Sequence, residues 1–149
     1  MTVGHFCNRE VVFAGRDSTI VEIAQLMRLH HVGDVVIVED RGEVRVPVGI
    51  ITDRDLVVGL IADGVDIDAV TAGDVMSYEL ITARTDDPLW ETLKRMHGQG
   101  VRRIPVVDDQ GGLEGILALD DILELLADEL SMLAKVSTCS QTKEKQRRE

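Results

Sequence analysis

The sequence predicts an α/β (α+β) fold in which two β-α-β-β-α repeats pack on one another through their sheets. Self-similarity is the first reason. The stretch DSTIVEIAQLMRLHHVGDVVIVEDRG, from Asp17, overlays DDPLWETLKRMHGQGVRRIPVVDDQG, from Asp86, at an offset of 69 residues (86 minus 17). GIITDRDL, from Gly49, then overlays GILALDDI, from Gly115, at an offset of 66, so the first copy carries three extra residues in a hairpin. Hydrophobic spacing is the second, because short apolar runs alternate with amphipathic segments in the same order in both copies. Size is the third. A unit of about 60 residues hides only about 60% of its unfolded surface, so the two copies are expected to cover one another. The expected division is 1–68 for the first repeat, 69–134 for the second, and 135–149 for a polar, mobile C-terminal tail.

The elements follow in order. Val11 to Phe13 reads as a short strand. Thr19 precedes a helix whose Ile20, Ile23, Ala24, Met27 and His31 share one face. DVVIVE is an apolar strand, DRGE a turn, VRVPVGII a strand, and DRDLVVGLIAD a second helix. Thr71 to Met76 is a connecting turn and short helix. The second copy gives a strand at ELITA, a helix from Pro88 at its first position, the strand RRIPVV, the turn DDQGG, the strand LEGILA and a helix from about Asp120. The stripe Ile122, Leu123, Leu125, Leu126, Leu130, Met132 and Leu133 suits core, and is wide enough to offer an interface as well.

Bulk properties narrow the functions. A net charge of -11, from 27 acidic and 16 basic residues, repels a nucleic-acid backbone. Apolar runs fall far short of the roughly 20 residues that span a bilayer. With two cysteines, Cys7 and Cys139, and no charged-then-apolar leader, the expected setting is a reducing cytoplasm. Catalytic patterns are missing: no Gly-x-Ser-x-Gly turn, no P-loop lysine, and no histidine pair at helical ligand spacing among His5, His30, His31 and His97. The chain is therefore expected not to be an enzyme, with no required cofactor and no metal site. His30 and His31 suit a helix C-terminus, and a zinc role with Cys7 is the weaker reading.

The segment Gly49 to Asp55 follows the pattern Gly-apolar-apolar-Thr-x-x-Asp, and RRIPVVD opens a strand at Arg102. Together with the repeat, these residues resemble a tandem pair of CBS domains from about Val11 to Leu130. The resemblance implies a disc-like module with pseudo-two-fold symmetry, often paired into a homodimer. Its clefts would bind adenosine-containing ligands such as AMP, ADP, ATP or S-adenosylmethionine.

An aspartate in a helix's first turn can accept hydrogen bonds from ribose hydroxyls, which makes Asp55 the ribose candidate. Thr52 can donate to a phosphate oxygen or the sugar, beside the free N–H groups of a helix start. Gly49 would leave room for the ligand or allow a strand bend. By resemblance the cleft of one repeat's Thr-x-x-Asp receives the basic pair of the other, which groups Thr52, Asp55, Arg102 and Arg103. Ile51 and Ile81, with Ile50, Leu80 and Thr82, are candidates for the adenine, and Pro105 for the cleft edge. The second cleft would have Ala118, Asp121 and Asp34, with an acid where a phosphate would sit. It is expected to be empty, weak, or suited to an uncharged or cationic adenosyl group.

Plainer readings stand beside these: an N-cap for Thr52 and Asp55, core strand for the isoleucines, exposed ion pairs for the arginines. The function implied is a regulatory sensor acting on an unidentified effector protein. The alternative is a dimerising or protein-interaction scaffold that binds no ligand.

Overall fold

Thr19 starts the first helix with a reciprocal cap. Its hydroxyl accepts the Glu22 N–H at 3.1 Å, and the Glu22 carboxylate accepts the Thr19 N–H at 3.1 Å, meeting two donors that a helix start leaves open. The structure, a computed structural model, describes residues 1–148. In it α1 (Ile20–His30) buries Ile20, Ile23 and Met27. Ala24 and His31, expected on the same face, are exposed. The buried stripe is one residue wide at its centre, and His31 leaves the helix in a left-handed conformation, φ 54°.

The chain divides into two compact units, Met1–Leu117 and Ala118–Glu149. The first holds the sheet β1 (Phe13–Gly15), β2 (Asp34–Arg41) and β3 (Val44–Thr52), in that order. The second sheet has β4 (Ala83–Arg84), β5 (Arg103–Val107) and β6 (Leu113–Ala118), in the order β4-β5-β6. The outer strands β1 and β4 begin two and four residues later than the apolar runs at Val11 and Glu79 predict. Each pairs in parallel with the strand after its helix. The second predicted helix, α2 (Asp55–Ile61), is wound wider than an α-helix: Ala62 donates to the Val57 carbonyl, five residues back, at 2.9 Å. A short helix, α3 (Ala72–Val75), is capped by Thr71 and Asp74. It leads to β4 and then to α4 (Leu89–Gln99), whose N-cap is Pro88, so the helix begins one residue later than expected.

Alternation sorts the first sheet into two apolar faces. Val35, Ile37 and Ile51 lie with Ile20, Ile23, Leu56 and Leu60 beneath the helices of their own repeat. Val36 and Val38, with half-buried Ile50, lie on the other face against Ile116 and Leu113 of the second copy. The leading segments also cross over. Thr2 bridges Pro88 and Asn8 bridges Ile116, while the equivalent Thr71 and Ser77 bridge Thr19 and Ile50. Each copy's first eight or so residues therefore bond to the other copy, and a cut at 68/69 in sequence is not a cut in contacts.

The β2–β3 hairpin turns on two residues, Gly42 and Glu43, with Gly42 at φ 68°. Ile37 pairs with Gly49 but Val38 pairs with Pro47, so Val48 is an extra, bulged residue. At Gly49 a Cβ would fall 2.4 Å from Met76 Sδ and 2.9 Å from Met76 Cβ. Gly49, expected to leave room for a ligand or to allow a strand bend, stands next to the bulge at Val48, and Met76 fills the space beside it. Gly49→Ala is expected to destabilise the protein by about 1–3 kcal/mol through overpacking. Urea unfolding would show this as a lower midpoint at unchanged slope.

The second unit is one helix, α5 (Leu119–Arg148), of 30 residues. Residues from 135 on, expected as a polar, mobile tail, continue this helix to 148. Of the apolar stripe expected mainly as core, Ile122 is buried, Leu125 and Leu126 are half-buried, and Leu123, Leu130, Met132 and Leu133 are exposed.

Candidate functional site

Thr52 ends β3 and Asp55 opens α2, and the two residues cap one another. The Asp55 Oδ2 accepts the Thr52 N–H at 2.9 Å, and the Thr52 hydroxyl accepts the Asp55 N–H at 3.2 Å. This is the capping function that a Thr-x-x-Asp spacing allows. It uses one lone pair of the hydroxyl and one carboxylate oxygen. The hydroxyl proton and Asp55 Oδ1 take no part in the cap, and both side chains are only partly buried, so capping and ligand contact are compatible here.

The bulge at Val48 decides what stands beside this pair. A two-residue turn alone would set Asp34 opposite Ile51. With the extra residue, Val35 faces Ile51 and Asp34 faces Thr52. Directly paired residues project from the same side of a sheet, so Asp34 and Thr52 share the face that carries Val36 and Ile50, turned toward the second copy. From that copy Arg103, at the start of β5, brings its Nε to 2.9 Å from Asp34 Oδ1. Arg103 and Asp34 occupy equivalent positions, 69 residues apart. Their side chains are 31% and 14% exposed, which makes this a half-buried pair, shielded from water more than a surface bridge. Thr52 and Arg103 thus come together with Asp34 between them. Arg102 is exposed just ahead of β5.

Other expected site residues are distributed differently. Ile51 is fully buried in the core under α1 and α2, and its place in the strand alternation turns its side chain away from Asp34 and Thr52. Ile81 is half-buried in the extended segment ahead of β4. Its neighbours Leu80 and Thr82 line a cavity of about 490 Å³ with Arg16, Pro47, Tyr78 and Val107. Pro105 is buried within β5. Asp34, grouped by the sequence with the second cleft, is the partner of Arg103 in the first group. Ala118 is half-buried at the end of β6 and Asp121 is exposed in the first turn of α5.

Among the described residues no group of three or more His, Cys, Asp or Glu is placed to hold a metal ion. Burial pushes the Cys7 thiol above its ordinary pKa, against the pull of Arg9. No helix among the described residues is long and apolar enough to cross a membrane.

The CBS domain profile matches twice, at residues 3–61 and 72–128. The chain belongs to the CBS domain family, as a tandem pair. It is 43% identical over 125 residues to an uncharacterised protein of Methanopyrus kandleri, a match covering 84% of this chain and 62% of that protein. Hypoxic response protein 1 of Mycobacterium tuberculosis is 30% identical over 139 residues, 93% of this chain and 94% of its own. A crystal structure of Hypoxic Response Protein I, with two coordinated zinc ions, superposes with a TM-score of 0.71 at 31% identity, covering 83% of this chain and 98% of that one. A CBS domain pair crystallised with 5'-methylthioadenosine and S-adenosyl-L-methionine gives a TM-score of 0.73 at 26% identity, covering 87% of this chain and 98% of that one.

Proposed function

We propose that this CBS pair is a regulatory module that binds an adenosine-containing ligand, with AMP, ADP or ATP as the first candidates, at Thr52, Asp55, Arg102 and Arg103. The observation that carries the reading is the reach of Arg103 from one repeat to Asp34, the cross-strand neighbour of Thr52 in the other. A nucleotide there would give its ribose hydroxyls to Asp55, and a phosphate to the Thr52 hydroxyl and the arginines. Ile81 and Pro105 would border the base, and a weaker second site would use Ala118 and Asp121. Adenosyl ligands bound to a related CBS pair support the ligand class. Regulation would follow from linkage: a ligand that prefers one arrangement of the repeats shifts the population toward it, and with it the affinity for an effector protein.

Thermal unfolding against a panel of AMP, ADP, ATP, S-adenosylmethionine and 5'-methylthioadenosine tests the reading. A ligand at 100 times its dissociation constant adds about 2.7 kcal/mol to stability. No shift with any compound would favour the scaffold.

Asp34 sets a more specific expectation. Its carboxylate holds the guanidinium that a phosphate would need, and an incoming phosphate must displace it. Asp34→Asn should therefore tighten AMP binding by about tenfold and leave uncharged 5'-methylthioadenosine unchanged. Calorimetry on the two ligands in parallel measures the difference.

A further inference from the structure

The cavity of about 490 Å³ has walls from both repeats, Arg16 and Pro47 from the first and Tyr78, Leu80, Thr82 and Val107 from the second. Strand spacing places it relative to Thr52. Arg103 and Val107 stand four residues apart on β5, and Asp34 and Val38, the cross-strand partners of Thr52 and Pro47, stand four apart on β2. Each pair shares one face of its strand, and four steps of ~3.3 Å put about 13 Å between its members. The groove between the repeats therefore runs from Thr52 and Arg103 at one end, past Ile50 and Pro105, to the cavity at the other.

Charge at this far end is opposite to that of the chain as a whole. In a protein with 27 acidic and 16 basic residues, Arg16 is the one charged residue lining the cavity among the described residues. Its ion-pair partner, Glu39 Oε2, is 3.9 Å away and lies 3.0 Å from Arg41. Two guanidinium groups thus share one acid, which leaves a net positive charge at the cavity wall. The wall is also fixed in place. Gly73 of α3 donates its N–H to the Arg16 carbonyl at 2.9 Å, and its own carbonyl accepts the Tyr78 hydroxyl at 2.6 Å. With Leu80 and Val107 alongside, these residues suit an apolar body that ends in a carboxylate, which a guanidinium can hold through two parallel N–H bonds.

We propose that the cavity receives a second anionic group, carried on the base of the nucleotide whose phosphate lies at Thr52 and Arg103. The exocyclic 6-amino group stands at the end of adenine remote from the ribose, so an acidic substituent on that nitrogen would continue along the groove to Arg16. The ligand class is then an adenine nucleotide with a carboxylate linked to this amine. The inference rests on the nucleotide reading of the Thr52 site.

Calorimetry of the full chain with AMP and with adenylosuccinate, which is AMP carrying a succinyl dicarboxylate on that nitrogen, tests it. Adenylosuccinate should bind about tenfold more tightly than AMP, and Arg16→Gln should bring the two affinities level. Overall charge works the other way, since a chain of net charge -11 repels the more anionic ligand. The Arg16 side chain is 44% exposed, and the backbone carbonyl at this position still takes the Gly73 N–H after substitution, so the variant should keep the wild-type melting temperature. Adenylosuccinate that binds no more tightly than AMP, or an advantage that survives Arg16→Gln, would overturn the proposal and leave the Thr52 site standing. Binding of neither nucleotide would overturn both.

Discussion

Alanine at position 55 is expected to weaken AMP binding by about a hundredfold. A charge-assisted hydrogen bond contributes roughly 1.5–3 kcal/mol, and the upper part of that range corresponds to two decades in affinity. The same substitution removes the acceptor of the Thr52 N–H, and loss of a cap costs about 0.5–2 kcal/mol of stability. The two effects need separating. Asp55→Asn keeps an oxygen for the cap but loses the charge, so it should hold stability to within about 0.5 kcal/mol while still losing roughly tenfold in affinity. Calorimetry and chemical unfolding on both variants provide the two readouts. If Asp55 serves only as a cap, both variants will bind AMP like the wild type.

Ile51→Ala is expected to have the largest effect on the fold, a loss of about 2–5 kcal/mol. Its side chain is fully buried among Ile20, Ile23, Val35 and Leu56, so truncation removes apolar contacts on every side and leaves a cavity. Stability in urea measures the loss. Because Ile51 turns away from the Thr52 face, the fraction that remains folded should bind AMP with wild-type affinity. A small stability change together with lost binding would instead make Ile51 a ligand contact.

What can be read in advance depends on how local the signal is. The repeat and its periodicities contain the order of elements in both copies, and the Thr19 and Thr71 caps follow from residues three apart. The same is true of Thr52 and Asp55, whose spacing contains both the cap and the candidate site. That Asp34 stands beside Thr52 is not legible in the sequence because it depends on the Val48 bulge, which shifts the register by one residue and exchanges Ile51 for Thr52 opposite it. Nothing in an apolar run such as VRVPVGII marks which residue will bulge, although Pro47, lacking an N–H, is a hint. The crossing of residues 1–8 onto the second copy is set by tertiary pairing, so local pattern does not reveal it. The C-terminal part of α5 is hidden by its polar composition. Thr138 and Thr142 return their hydroxyls to carbonyls four residues back, which lets residues that usually favour turns remain helical.

A site shared between the two repeats, with the acid and hydroxyl from the first and the cation from the second, is the central claim. Titrating AMP and 5'-methylthioadenosine in parallel against the wild type and Arg103→Ala tests it most directly. About one AMP per chain, weakened roughly tenfold by the substitution while 5'-methylthioadenosine binds as before, is the predicted result. Equal losses for both ligands, or AMP binding that ignores Arg103, would contradict it.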